Sequence, residues 1–480
     1  MTASALARAL FAPPGAAAAH TRHLLAQAAG AHARLRDSAA SGRQQPRDRL
    51  RDAMARYLRS SASAPEKRFV LDDPQLVEAL HGLASTSGVL TDWGATVAPG
   101  CLQTPREQRT ALGQGRLGNI VVALLLRRSR DWCGRIELAT DDYGRIHIPF
   151  CDWAVVLVDH RGTQRELLAH QKIALELGTL HACWTLVDEQ RTELVRMPRE
   201  LFDAMFLDNR ESVDARDVQC CTDPIRPRFE RATPLGQTRI RFEPISGEAP
   251  AAHAALTGGI VAALLSAIEQ NARPIHRQLC QCIRVIHGFE LPAYANGQIA
   301  SFSVPTSPGV IGFNVQFNAA DEPCLSPYCF MWLGHELGHT LNYLIDDVAY
   351  THGWRFLENP GDTTPVLPRY GRSLGVRTLF QVPYVHLFEW WLLMLFCEHG
   401  FAGLPWQVGD DARAVGDDVR AEIDEAFGLI EQHARLTVMG HAVVARMREL
   451  VAEAEARWRL LSHVATGRRA KVYAESGRLN

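Results

Sequence analysis

The sequence predicts an α+β protein whose C-terminal part is rich in helices. Apolar residues recur every three to four positions over Asp418–Leu429 and over Val443–Leu461, with charged residues between them, which is the spacing of amphipathic helices. Short apolar or alternating runs, such as WAVVLV over Trp153–Val158 and QTRIRFE over Gln237–Glu243, are typical of strands. We therefore expect a helix-rich domain that is preceded by a mixed region and by an N-terminal helical segment.

Composition and pattern divide the chain of 480 residues into three parts. Residues 1–115 are rich in Ala and Arg and have helical spacing. Residues 116–245 combine strand and helix signals, and residues 246–480 contain every group that suggests chemistry. The boundaries of these parts follow changes in composition, so we predict an N-terminal helical region, a mixed α/β region and a catalytic domain, in that order.

The mixed α/β region has several local signals. Alternation on both sides of Asp141-Asp142-Tyr143-Gly144 predicts a hairpin. The apolar spacing over Leu167–Leu177 predicts a helix, and the run from Cys183 to Val187 predicts another strand. A sheet edge in this region is a candidate surface for binding a peptide by strand addition.

Charge and cysteine content exclude several classes of protein. Lys and Arg total 51 and Asp and Glu total 53, so the formal charge is −2, which argues against nucleic-acid binding through phosphates. No uninterrupted apolar stretch reaches about 20 residues, which argues against a membrane span. The 11 cysteines are scattered and form no CxxC pair, as expected for reduced cysteines in a cytoplasmic protein.

A metal-binding motif stands in an apolar helical run. His335-Glu336-Leu337-Gly338-His339 fits H-E-x-x-H. On a helix the residues i and i+4 lie on one face, so His335 and His339 can bind one metal ion, and Glu336 projects beside them. The apolar residues around the motif leave little exposed face, which favours a buried metal site over two histidines in solvent.

A third ligand has to come from another part of the sequence. His352 follows the motif by 13 residues, and Asp346 and Asp347 lie at the end of the same helix. His386 and Glu389 lie three residues apart in VPYVHLFEWWLLMLF, a helix that is otherwise almost wholly apolar. Because a buried ionisable group needs a partner or a metal, we expect one of these last two to bind the ion and the other to support it or contact substrate.

Two reaction classes remain open on this spacing. With zinc, Glu389 would complete the ligand set and Glu336 would act as the general base of a metallopeptidase. With Fe(II), two histidines and one further ligand would leave positions for 2-oxoglutarate and O2. A cation would then have to bind the distal carboxylate of 2-oxoglutarate, and Arg369, Arg372 and Arg377 stand between the two metal helices.

The order of these motifs resembles that of the HExxH-type, 2-oxoglutarate-dependent peptide β-hydroxylases that act on ribosomally synthesised peptides. The motifs that carry the resemblance are PGVIGFN, HELGH, a spacer of about 30 residues, RYGRSLGVRTLF and YVHLFEWW, over roughly residues 300–400. The resemblance implies a zincin-like metal domain, Fe(II), 2-oxoglutarate and O2 as cofactors and cosubstrates, and a peptide substrate that is hydroxylated at a side-chain Cβ.

The resemblance also implies a role for individual residues. His335, His339 and His386 would bind iron, and Arg377 or Arg372 would bind the carboxylate of 2-oxoglutarate. Glu336 would then hydrogen-bond a metal-bound ligand or position the substrate. A zinc peptidase with Glu389 as third ligand remains the alternative, followed by a zincin-like module that binds a peptide without turnover. The Trp-rich helices permit a dimer.

Overall fold

The computed structural model describes part of the chain. The described residues are 2–16, 131–139, 146–147, 153–158, 171–187, 191, 193–206, 219–220, 226–231, 233–234, 240–244, 251–289, 301–303, 309–314, 316–317, 323–324, 330–367, 372–399 and 412–476. Within them the protein combines eight helices with several small sheets, which agrees with the predicted α+β class.

The chain forms two compact units. One unit comprises residues 1–28, 234–244 and 250–480, and the other comprises residues 29–233 and 245–249. The described N-terminal residues, 2–16, therefore pack with the C-terminal part of the chain. The rest of the predicted N-terminal region, up to residue 115, lies outside the described residues, so the three-part organisation stays a prediction.

The unit that contains the middle of the sequence is built around antiparallel strands. One sheet has the order β1-β4-β5-β6-β7 and the other the order β2-β3-β8. Trp184, Phe202 and Phe206 form an aromatic cluster between the first sheet and helix α2, with ring centroids 4.8–5.9 Å apart. The elements are β1 (Gly134–Ala139), β2 (Ile146–His147), β3 (Trp153–Val158), β4 (Lys172–Leu177), β5 (His181–Leu186), β6 (Glu193–Pro198), α2 (Arg199–Phe206), β7 (Gln219–Cys220) and β8 (Arg226–Arg231).

The sequence predicted two strands, one helix and one hairpin in the described part of this unit, with different outcomes. The strands predicted from Trp153 and around Cys183 are confirmed. The helix predicted over Leu167–Leu177 is wrong, because Lys172–Leu177 forms a strand that pairs with β1 and β5. Leu, Ala and Glu favour helices, but sheet pairing overrides this local propensity. The predicted hairpin is also not formed among the described residues, since β1 pairs with β4 and β2 pairs with β3.

The other unit contains a mixed sheet next to a group of long helices. The sheet has the order β12-β13-β11-β10-β9; β10, β11 and β13 run parallel, and β12 runs antiparallel to β13. Helices α3 and α4 connect β10 to β11. The elements are β9 (Thr233–Pro234), β10 (Arg241–Pro244), α3 (Ala251–Asn271), α4 (Arg273–Cys282), β11 (Val285–Phe289), β12 (Ser301–Ser303), β13 (Val310–Asn314), and the short pair β14 (Gln316–Phe317) and β15 (Pro323–Cys324).

Four long helices follow the sheet and share one apolar core. They are α5 (Phe330–Thr351), α6 (Val376–His399), α7 (Ala412–His433) and α8 (Val438–Ser476). In the described part of the chain, α6 is the one helix that is long and apolar enough to cross a membrane, and 78% of its most apolar window is buried inside the protein. It carries His386 and Glu389 near its middle, and its position is that of a core helix.

The N-terminal segment packs on these long helices. Helix α1 (Ala3–Leu10) is capped by Thr2, whose hydroxyl accepts a hydrogen bond from the backbone of Ala5. The Phe11 side chain is buried, with its ring 5.1 Å from that of Tyr384 between centroids, and the Tyr384 hydroxyl donates to the backbone oxygen of Ala12 at 2.9 Å. The segment thus contacts α6 directly.

Candidate metal centre

Helix α5 brings the histidines of the HExxH motif together. Its buried face is formed by Leu333, Leu337, Leu341 and Leu344, which agrees with the apolar setting expected from the sequence. The Nε2 atoms of His335 and His339 are 3.1 Å apart. Two nitrogens that bind one ion at about 2.1 Å are about 3.0–3.4 Å apart in octahedral or tetrahedral geometry. The pair therefore fits one edge of a metal coordination shell.

Two glycines in α5 bring the second helix of the site close to the motif. A Cβ on Gly334 would lie 2.8 Å from the backbone oxygen of Phe388, and a Cβ on Gly338 would lie 2.8 Å from the Cα of Val385. Glycine inside a helix costs about 1 kcal/mol relative to alanine. Both glycines stand where the backbone of α6 approaches α5. This close approach places His386 and Glu389 beside the motif.

Glu389 links the two helices of the site. Its Oε1 lies 3.1 Å from Nδ1 of His335, and its Oε2 lies 2.5 Å from Nδ1 of His386. His335, His386 and Glu389 can each present one ligand atom within 4.8 Å of the others. The structure thus brings together both of the residues on α6 that the sequence offered as third ligand.

The ring geometry separates the two roles. An ion shared by the Nε2 atoms of His335 and His339 would lie on one side of the His335 ring, while Glu389 lies at Nδ1 on the other side. The Nδ1 atom of His386 also faces Glu389, which leaves its Nε2 to bind an ion. A carboxylate at the second nitrogen of metal-binding histidines fixes their tautomer and orientation. This arrangement is compatible with His386 as a ligand and Glu389 as its support. The metal-binding group found among the described residues, however, consists of His335, His386 and Glu389 and does not include His339.

Burial and charge act on the ionisable groups in opposite directions. Burial by itself would lower the pKa of His335, but the neighbouring Glu389 reverses the effect and raises that pKa to about 9. Burial opposes ionisation of Glu389, yet His386 and His335 hold its pKa below the ordinary value. Burial, together with His335 and His386, lowers the pKa of His339 well below its usual range. In the absence of an ion, the protonated His335 thus neutralises Glu389.

Glu336 is buried between α5 and the strand β12. It is 2% exposed, and the hydroxyl of Ser301 on β12 donates to its Oε1 at 2.7 Å. Its Oε2 is buried and makes no hydrogen bond within the described part of the chain. Burial raises the pKa of Glu336. A carboxyl group in this setting can hold or transfer a proton, which suits either role predicted for it.

The predicted arginines have different surroundings. Nε and Nη2 of Arg377 donate to Oδ2 of Asp346 at 3.2 and 2.9 Å, and the same oxygen accepts from the amide of Gln381. Arg377 of α6 therefore contacts α5 at Asp346, which stands about two helical turns after His339. Arg372 is exposed, and Arg369 lies outside the described residues.

The remaining candidates for the third ligand lie apart from this group. His352 is exposed, and its Nδ1 is 2.8 Å from the backbone oxygen of Val348. Asp346 is paired with Arg377, and the side chain of Asp347 lies outside the described residues. None of these residues belongs to the metal-binding group found in the described part of the chain.

Sequence reasoning missed one acidic residue at the site. Glu422 of α7 has its Oε2 3.5 Å from Nδ1 of His386. The sequence pattern does indicate that Glu422 is near the core. It stands three residues after Val419 and four before Ala426, on the buried face of an amphipathic helix. A charged residue on such a face needs a partner, and the pattern could not say which one.

Comparison with known proteins gives no family for this chain: no protein-family model matches it, and no curated protein has a significantly similar sequence.

Proposed function

We propose that this protein is an Fe(II)- and 2-oxoglutarate-dependent oxygenase that hydroxylates a side-chain Cβ of a ribosomally synthesised peptide, in a zincin-like domain. The observation that carries the proposal is the position of Glu389 at the Nδ1 atoms of His335 and His386, away from the Nε2 atoms. It supports a ligand set of three imidazoles instead of the His-His-Glu set of a peptidase. The peptide and the reaction type rest on the resemblance.

The overall reaction would convert R–H, 2-oxoglutarate and O2 into R–OH, succinate and CO2. Iron bound at this site would supply the activation of O2. His335, His339 and His386 would bind it, and Glu389 would keep two of these rings in the correct orientation. Glu336, held by Ser301, would orient a ligand or the substrate through its second oxygen. Buried apolar residues of α5 and α6 adjoin the site.

Arg377 is the arginine best placed to bind the cosubstrate. It lies on the helix that carries His386, whereas Arg372 is exposed. Arg377 already binds one carboxylate, that of Asp346, through two of its nitrogens. The distal carboxylate of 2-oxoglutarate would have to share or replace this contact, which is chemically the same interaction.

We expect Arg377→Gln to raise the KM for 2-oxoglutarate at least tenfold, because it removes a charge-assisted contact to the carboxylate. Arg372→Gln is the matched control and should leave that KM within about twofold. Succinate formation at varied 2-oxoglutarate concentrations measures both. The reverse ranking of the two variants would assign the cosubstrate to Arg372.

A zinc peptidase is the second candidate, and the contact between Glu389 and the first histidine of the motif, His335, supports it. In that case Glu389 would bind the ion, and Glu336 would take a proton from the attacking water.

Metal analysis and turnover decide between these functions. The protein is purified without chelator, its metal content is measured, and 2-oxoglutarate consumption and succinate formation are followed in air with Fe(II). The oxygenase should produce succinate in step with 2-oxoglutarate loss, and His339→Ala should abolish it. Bound zinc with cleavage of a test peptide would instead establish the peptidase. Metal binding with neither activity would leave the peptide-binding module.

A further inference from the structure

Helix α7 contributes a second carboxylate to the histidine of α6. Oε2 of Glu422 lies 3.5 Å from Nδ1 of His386, and the Glu422 side chain is only 21% exposed. The neighbours of Glu422 on this face of α7 are Val419, Ile423 and Ala426, which are all buried. Glu422 therefore places a partly buried negative charge beside the imidazole of a histidine on the adjoining helix.

The carboxylate of Glu389 lies beside two imidazole rings. One of its oxygens faces His335 and the other faces His386, so the positions of the two rings are coupled through one side chain. Glu422 adds a second carboxylate beside His386. The 3.5 Å separation is longer than a hydrogen bond, so its effect there is through charge, in a buried setting where the interaction is screened less than in water.

We propose that Glu422 is a positioning residue of the metal centre. Together with Glu389 it holds the Nδ1 edge of His386 and makes this ring a better metal donor through Nε2, so that α7 forms part of the site as well as α5 and α6. This inference rests on the proposed metal site, but it is independent of whether the site hydroxylates or hydrolyses a peptide.

Metal affinity tests the inference with full-length protein. Co(II) is titrated into wild type, Glu422→Gln, Glu422→Ala and the control Glu425→Gln, which alters an exposed glutamate of the same helix. The dissociation constant and the visible absorption spectrum of bound Co(II) are recorded, and the Tm of each metal-free protein is measured. We expect Glu422→Gln to weaken Co(II) binding about 10- to 100-fold and to alter the spectrum, with the metal-free Tm and the Glu425→Gln variant unchanged.

Each other outcome has a defined meaning. If Glu422→Gln binds Co(II) with the affinity and spectrum of wild type, Glu422 does not position His386 and the inference is overturned. A spectrum like that of wild type, with a lowered metal-free Tm, would assign Glu422 a structural role and also overturn it. If wild type itself binds no Co(II), the metal centre fails, and the proposed function fails with it.

Discussion

At the scale of single residues, the main chemical question is which of His386 and Glu389 binds the metal ion and which one supports the ligand. Both stand in the largely apolar middle of α6, and both contact His335 of the HExxH motif. Sequence spacing placed them on one face of a helix but could not distinguish a ligand from its support. The Nδ1 atoms of His335 and His386 both face Glu389, and we infer from this orientation that His386 binds the ion through Nε2.

We expect His386→Ala to lose metal affinity more severely than Glu389→Gln. The first change removes a donor atom, whereas the second keeps the shape of the side chain and removes a supporting charge, with an expected loss of about 10- to 100-fold. Titration with Co(II) measures both, and His352→Ala, which changes an exposed histidine, serves as the control. Tighter binding by His386→Ala than by Glu389→Gln would make Glu389 the ligand.

At the scale of secondary-structure elements, the site depends on how closely α5 and α6 approach each other. Gly334 and Gly338 flank the first histidine and the glutamate of the motif, and each faces the backbone of α6. Neither glycine has the positive φ that would require one, so close packing of the two helices is the reason for their presence.

Gly338→Ala should therefore push α6 away and weaken metal binding. The added Cβ would lie 2.8 Å from the Cα of Val385, which cannot rotate aside. Overpacking of this kind costs about 1–3 kcal/mol, partly offset by the higher helix propensity of alanine.

Gly428→Ala in α7 is the matched control, because a Cβ there meets nothing within 4 Å. We expect this variant to keep wild-type metal affinity and to have an equal or slightly higher Tm. Equal Co(II) affinity for both variants would show that the site tolerates separation of the helices.

At the scale of the whole molecule, the first residues of the chain belong to the unit that contains the metal centre. The guanidinium of Arg446 on α8 donates to the backbone oxygen of Phe11, and Tyr384 on α6 donates to that of Ala12. These contacts join residues more than 370 positions apart. Local sequence analysis has no signal for such a contact.

We expect Phe11→Ala to destabilise this unit by about 3–5 kcal/mol, since Phe11 is 1% exposed and packs against Tyr384 and Phe356. The Tm of the metal-free protein measures the effect. Arg8→Ala is the control, because Arg8 and its partner Glu449 are both well exposed, and it should leave the Tm nearly unchanged. A Tm for Phe11→Ala equal to that of wild type would show that the packing of Phe11 does not stabilise this unit.

The sequence by itself determined which parts of the chain form long helices and which two histidines share a helical face. It did so because amphipathic periodicity and i,i+4 spacing are local properties. The positions of α6, α7 and α8 and the pairing of a histidine with a glutamate on α6 were therefore predictable from the residues.

Only the tertiary structure decided the rest. Whether Lys172–Leu177 is a strand, which strand pairs with β1, and which carboxylate faces which nitrogen of His386 all depend on residues far away in the sequence. These contacts are chosen by the burial of many side chains at once, and no local pattern encodes them. The placement of Glu422 beside His386 depends on the same long-range packing, and it makes α7 a part of the candidate site.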